Sequence, residues 1–169
     1  MLNMVNSSIQ SELDRFFEII QKQHITLDSV TPAAFSKARK KFSYSAFKEL
    51  NRCLTETFYK SSSVRRWKDF RLLAIDSPVT KFHSSEELMS YFGKARSHFS
   101  LPAARLSQLY DIENKLTIDL QVSLHSTRER ELAIKHLVHA SVNDLVLYDR
   151  GYPATWLFIL HQQKNITCL

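Results

Sequence analysis

At 169 residues, 44% hydrophobic and 24% charged, the chain can bury one hydrophobic core and has an ordinary globular balance, which excludes a disordered tail. The net charge of +6 lies wholly in the front half: residues 1–75 hold 13 Lys and Arg against 7 Asp and Glu, and residues 76–169 hold 10 against 10. MLNMVNSSIQ lacks a basic region followed by an apolar stretch, no apolar run suits a membrane span, and Cys53 and Cys168 stand in no metal or disulfide spacing; a cytoplasmic protein with two small buried cysteines is expected.

Three helices open the chain. Ile9, Leu13, Phe16, Phe17, Ile19 and Ile20 recur at helical spacing and predict an amphipathic helix over roughly Ser8 to Gln23. Thr31 followed by Pro32 marks a second start, since proline in the first turn loses no hydrogen bond, and AAFSKARKKF carries this helix to about Phe42. A third starts at Ser43 or Ser45 and runs through AFKELNRCLTETFY, where Phe47, Leu50, Leu54 and Phe58 form an apolar stripe. Ser61 to Ser63 read as a linker, which separates a helical basic module, residues 1–63, from a second domain, residues 64–169. Between Ser36 and Lys68 stand ten basic residues and two acidic ones, and Lys37, Arg39, Lys40, Lys41, Arg65 and Arg66 are the candidate phosphate contacts. Charge alone fits a solvated helix face equally well.

Beyond the linker the period changes. FRLLAID, Phe70 to Asp76, is a short apolar strand ending in a carboxylate, and Trp67 reads as a ring that anchors the start of the domain. Glu86 to Phe92 is a short helix closed by Gly93. Arg105 to Tyr110 and Leu116 to Val122 predict a hairpin about Asp111–Lys115, with Leu116, Ile118, Leu120 and Val122 alternating onto one buried face. Ser126 and Glu129 form a capping-box signature for a helix to about Ala140. DLVLYD, Asp144 to Asp149, is another apolar strand ending in an acid; Gly151 allows a tight turn, Pro153 starts a helix through ATWLFILHQQ, and NITCL is a fifth strand. The fold class is α/β.

If the first and fourth of these strands lie side by side and parallel, Asp76 and Asp149 project together beyond their carboxyl ends, where open α/β sheets place their sites. Two such carboxylates repel one another, and Mg²⁺ or Mn²⁺, hard cations that prefer oxygen, would neutralise them and serve phosphodiester chemistry. Either aspartate taken singly is an ordinary turn residue or cap; the pair is what points to a metal site. His136 and His139 lie three apart without HExxH and read as surface histidines, as do His24, His83, His98, His125 and His161.

RLLAIDS, ARLSQLYDIENKLTIDLQV, ERELAIKHL and NDLVLYDRGYPATWLFILHQQKNI resemble, in order and with similar intervals, the catalytic core of bacterial insertion-sequence DDE transposases, whose third acid lies in a YxxRxxxE signature. TPAAFSKARKKFSYSAFKELN is similar to the helical region that precedes that core. The resemblance covers the chain from about residue 26, and DRGYP after an apolar strand is its most specific piece. It implies an RNase H-like mixed sheet, incomplete at its carboxyl end, with Asp76 and Asp149 as the first and second catalytic aspartates and as ligands of Mg²⁺ or Mn²⁺. It further implies DNA as partner, strand cleavage by water, strand transfer by a DNA 3′-hydroxyl, and a cytoplasmic place with the nucleoid. Arg150 and Tyr152 are implied to contact phosphate and to orient the site, with an ordinary salt bridge and a packed ring as the plain alternatives. Asp76 is followed by Ser77 and Pro78 where the family usually has glycine.

No YxxRxxxE occurs up to Leu169, so the chain alone is expected to be truncated before the third acid, to bind metal weakly and to show little or no transposase activity. An intact transposase or a separate carboxyl-terminal half is the partner that would supply that acid. The competing expectation is a DNA-binding protein without catalysis, able to interfere with an intact transposase.

Overall fold

The computed structural model describes residues 8–21, 30–60, 63–93 and 101–169. The expected end of the first helix at Gln23, the linker serines Ser61 and Ser62, and His24 and His98 lie outside the described residues. The chain divides into two units, Met1–Leu50 and Asn51–Leu169.

The first unit holds α1 (Ile9–Gln21), α2 (Pro32–Arg39) and the first part of α3 (Tyr44–Tyr59). Thr31 caps α2, its Oγ1 accepting from the Ala34 amide at 3.2 Å with Pro32 in the first turn. The helix ends at Arg39 and not at Phe42, because the Lys41 and Phe42 amides turn back to the Ala38 and Arg39 carbonyls at 3.0 and 3.2 Å, three residues away instead of four. On α1, Leu13 is buried while Ile9, Phe16 and Ile19 are exposed.

Of the stripe expected on α3, Phe58 is half-buried and the rest faces outward. Phe47, Leu50 and Leu54 are exposed, Cys53 with them, and Thr55 is the buried residue of the helix. Polar anchors set this orientation: Asn51 Nδ2 donates to the Thr117 carbonyl at 3.0 Å and the Tyr59 hydroxyl donates to Asp111 at 2.6 Å, so the face carrying 51, 55 and 59 meets the second unit's sheet. These anchors hold the second half of α3 in the second unit, which begins at Asn51, inside the helix.

The second unit is an α/β structure on a mixed sheet. β1 (Arg71–Asp76) pairs antiparallel with β3 (Ala103–Asp111) on one side and parallel with β5 (Asp144–Tyr148) on the other; β3 also pairs with β4 (Leu116–Leu124), and β5 with β6 (Thr167–Cys168). β2 (Val79–Lys81) keeps the frame of β1 along β3: Asp76 lies opposite Gln108 and Val79 opposite Arg105. β1 and β2 are therefore two parts of one long strand interrupted at Ser77–Pro78, a continuation that the sequence reading did not assign. Arg71 and Asp144, paired at the start of β1 and β5, close a bidentate ion pair at 2.8 and 2.5 Å that ties down this parallel register.

α4 (Glu86–Phe92) begins at its Ser85 cap and ends, as expected, at Gly93, whose φ of 74° suits glycine. α5 (Glu129–His136), prolonged by a 3-10 turn over Leu137–His139, and α6 (Thr155–Lys164) cover one face of the sheet. Ala133, Leu137 and Leu157 from these segments pack with Leu73, Ile75, Leu109 and Val146 in the core. Arg128 occupies the N-cap of α5 without a side-chain bond, so the capping box does not form; α6 likewise begins at Thr155, two residues beyond Pro153.

The hairpin departs most from its expected pattern. Leu109 pairs with Asp119 and Tyr110 with Thr117, which leaves Ile118 as an extra residue in a bulge. Ile118 packs against the core, but the bulge reverses the alternation beyond it. Asp119 and Gln121 consequently share the face of Leu109 and Ser107 beneath α5, and Leu120, Val122 and Leu124 are exposed on the other. No described helix is long and apolar enough to cross a membrane.

Candidate active site

Parallel pairing brings the two aspartates named from the sequence together. Ile75 lies opposite Tyr148, so Asp76 and Asp149 are the residues that follow the last parallel pair of β1 and β5. Asp76 ends β1, and the chain continues through Ser77 and Pro78 to β2 against β3, while β5 stops at Tyr148 and turns away. The site is a step in the sheet where one of two neighbours leaves. Both carboxylates are exposed, and each commits Oδ1 to the amide that follows it: Ser77 N to Asp76 at 2.8 Å and Arg150 N to Asp149 at 2.6 Å.

The two turns are braced against each other and against the start of α5. Tyr152, buried after the second turn, donates its hydroxyl to Ser77 Oγ in the first at 2.9 Å. Arg105 on β3 donates to the Ser77 carbonyl at 2.8 Å and is ion-paired to Glu129. The neighbouring Arg130 donates to the carbonyls of Tyr152 and Gly151 at 3.1 and 2.9 Å. Burial, with Glu129 and Asp76 nearby, pushes the Tyr152 phenol upward against the bond to Ser77, so the ring stays protonated as a donor. Gly151 is not in the left-handed region, and open space surrounds the position of an added Cβ, so this turn does not need its glycine. Ser77, where the resemblance leads one to expect glycine, is buried and uses its side chain.

The candidate phosphate contacts are dispersed. Arg150 is exposed beside Asp149. Arg65 and Arg66 are exposed ahead of β1, at the opposite end of that strand from Asp76, and Arg71 and Asp76 are separated by about 17 Å of strand rise. Trp67 and Phe70 exchange backbone bonds of 2.9 Å across Lys68 and Asp69, both at positive φ, and Trp67 is half-exposed under the Lys68 ammonium instead of anchored in the core. Lys37, Arg39, Lys40 and Lys41 belong to the first unit, all exposed at the carboxyl end of α2, where the helix dipole favours cations. Among the described residues none of these four has an ion-pair partner.

Two histidines assigned to the surface are in the core. His136 is fully buried between Ser107 and Asp119, and His161 is buried between Tyr148 and Ile166. Their partners come from strands 13 or more residues away or from beyond the end of a helix, so helical spacing carried no sign of them. His83 and His139 are exposed as expected, and His125 is partly buried. Ser77, Arg105, Glu129 and Arg130 were likewise missed, the last two because the segment was read as a cap. Among the described residues no group of three or more His, Cys, Asp or Glu side chains is arranged to hold a metal; Asp76 and Asp149 remain a pair. No model of a known protein family matches the chain, and no curated protein matches it.

Proposed function

We propose that the second unit is an RNase H-like core of the DDE transposase type, in which Asp76 and Asp149 hold Mg²⁺ or Mn²⁺ and direct it at DNA phosphodiesters. The observation that carries this reading is the parallel pairing of β1 and β5, with the two aspartates at neighbouring positions. The order of the sheet supports it: three antiparallel passes (β1 with β2, β3, β4), a helix, then β5 and β6 parallel to β1 with α6 between them. So does the donor set, since each carboxylate is exposed with one oxygen held by a turn amide, and Mg²⁺ commonly takes one or two carboxylates and completes its shell with water and phosphate oxygens. When bound, such a cation supplies charge neutralisation and activates the attacking hydroxyl. Arg150 is the side chain assigned to phosphate contact beside it, and Lys37, Arg39, Lys40, Lys41, Arg65 and Arg66 are assigned to DNA.

Glu129, a further carboxylate at this end of the sheet, is committed to Arg105 and does not serve as the third acid. Cleavage by these two acids alone is therefore expected to be weak or absent, and a partner such as an intact transposase would supply the third acid. The test is Mn²⁺ binding and Mn²⁺-dependent DNA nicking by the purified chain, alongside Asp76→Ala and Asp149→Ala. Mn²⁺ binding weakened at least tenfold by either substitution supports the acid pair, and nicking abolished with it would show a site already complete. Binding indifferent to both substitutions sinks the reading. A DNA-binding protein without catalysis is the second reading, favoured by the four exposed cations of α2 and its following turn.

A further inference from the structure

A chain of buried hydrogen bonds leads away from the acid-bearing turns. Tyr152 donates to Ser77 Oγ at 2.9 Å, Ser77 to Ser107 Oγ at 2.7 Å, and Ser107 lies 2.9 Å from His136 Nε2. His136 Nδ1 lies 2.8 Å from Asp119 Oδ2, which also accepts from Gln121 at 3.1 Å. Ser77, Ser107, His136 and Tyr152 are each at most 3% exposed.

Proton counting fixes the directions at the two ends of this chain. A carboxylate oxygen at 2.8 Å requires a proton on Nδ1, which leaves Nε2 facing Ser107. Ser107, which receives the proton of Ser77, is joined to Nε2 at 2.9 Å. Burial works to raise the Asp119 carboxyl, but bonds from His136 and Gln121 and the nearness of His136 and His139 outweigh it and hold the group at about 2, an acceptor at neutral pH. The set copies the Ser, His, Asp order of a hydrolytic triad, yet Ser107 is fully buried with its oxygen occupied, so it is no nucleophile.

We propose that His136 is a positioning residue: through Ser107 and Ser77 it orients the Tyr152 hydroxyl and so fixes the turns carrying Asp76 and Asp149 relative to each other. The inference rests on the acid-pair reading for its functional meaning, but the geometry of the turns can be measured separately. His136 is anchored by Asp119, which the bulge at Ile118 turns toward α5, so the hairpin irregularity is what supplies the far end of the relay.

The experiment is amide hydrogen exchange on the whole chain, wild type against His136→Gln and, as the milder change, Ser107→Ala. Both variants are expected to speed exchange of the Ser77 and Arg150 amides about tenfold while the core amides of Leu73 and Val146 keep their protection. Mn²⁺ affinity is expected to fall in step, and Tyr152→Phe combined with Ser107→Ala to cost no more than either alone, since both cut one chain. Exchange at Ser77 and Arg150 that is unchanged, or that rises uniformly with the core amides, overturns the proposal. If those amides respond while Asp76→Ala leaves Mn²⁺ binding untouched, the relay stands and the metal reading falls; if Asp76→Ala weakens Mn²⁺ binding but the amides do not respond, the reverse holds.

Discussion

His161 Nδ1 donates to the Ile166 carbonyl at 3.2 Å and its Nε2 accepts the Tyr148 hydroxyl at 2.7 Å, which holds the ring neutral in the core. Burial lowers its pKa below the ordinary 6.5, the backbone bond opposing. The unfolded chain then binds a proton that the folded one refuses, so the stability this group contributes is complete above pH 6.5 and is lost as pH falls through the lowered folded value. Urea midpoints are expected to drop between pH 7.5 and about 5, with a shallower drop in His161→Gln; equal slopes would remove this group from the account. The ion pair of Arg71 and Asp144 is nearly buried, with side chains 14% and 2% exposed. Asp144→Ala leaves the guanidinium without its partner and should cost about 3 kcal/mol in urea unfolding. None of these pairings was legible in the sequence, where a histidine on a helix or an aspartate at a strand start has no visible partner.

At the scale of elements, the strands and most helices were legible from period and punctuation, because apolar runs and Thr-Pro or Gly signals act within a few residues. Face was less so. The single unpaired residue Ile118 turns Leu120, Val122 and Leu124 outward, an outcome set by how β4 registers against β3. Val122→Thr should therefore change stability by no more than about 0.5 kcal/mol. By contrast, Leu109→Ala, on the buried face of the partner strand, should cost about 3 kcal/mol. A large loss for Val122→Thr would mean that the outward face is covered in solution. Gly151 offers a sharper case: its backbone is ordinary and its surroundings open, so Gly151→Ala should fold with wild-type stability within about 0.5 kcal/mol by thermal unfolding. A loss of DNA binding or nicking without a loss of stability would then mark a close approach of substrate to this turn.

For the molecule as a whole, charge is the property that reaches furthest. Arg39→Ala, Lys40→Ala and Lys41→Ala together should weaken DNA binding and lower the slope of log affinity against log salt by about 3 if each touches a phosphate. Binding that does not depend on salt would retire the basic segment as a DNA contact. Neighbouring residues were enough to read the α/β order of the second unit, the two apolar strands that each lead to an aspartate, and the Thr31–Pro32 start of α2. Long-range contacts set the continuation of β1 toward β2, the packing of Asn51, Thr55 and Tyr59 on the sheet, the internal places of His136 and His161, and the link from Ser77 to Tyr152 between the two acid-bearing turns. Each of those outcomes depends on hydrogen-bond partners brought from distant parts of the chain, and on a register that one bulged residue can invert.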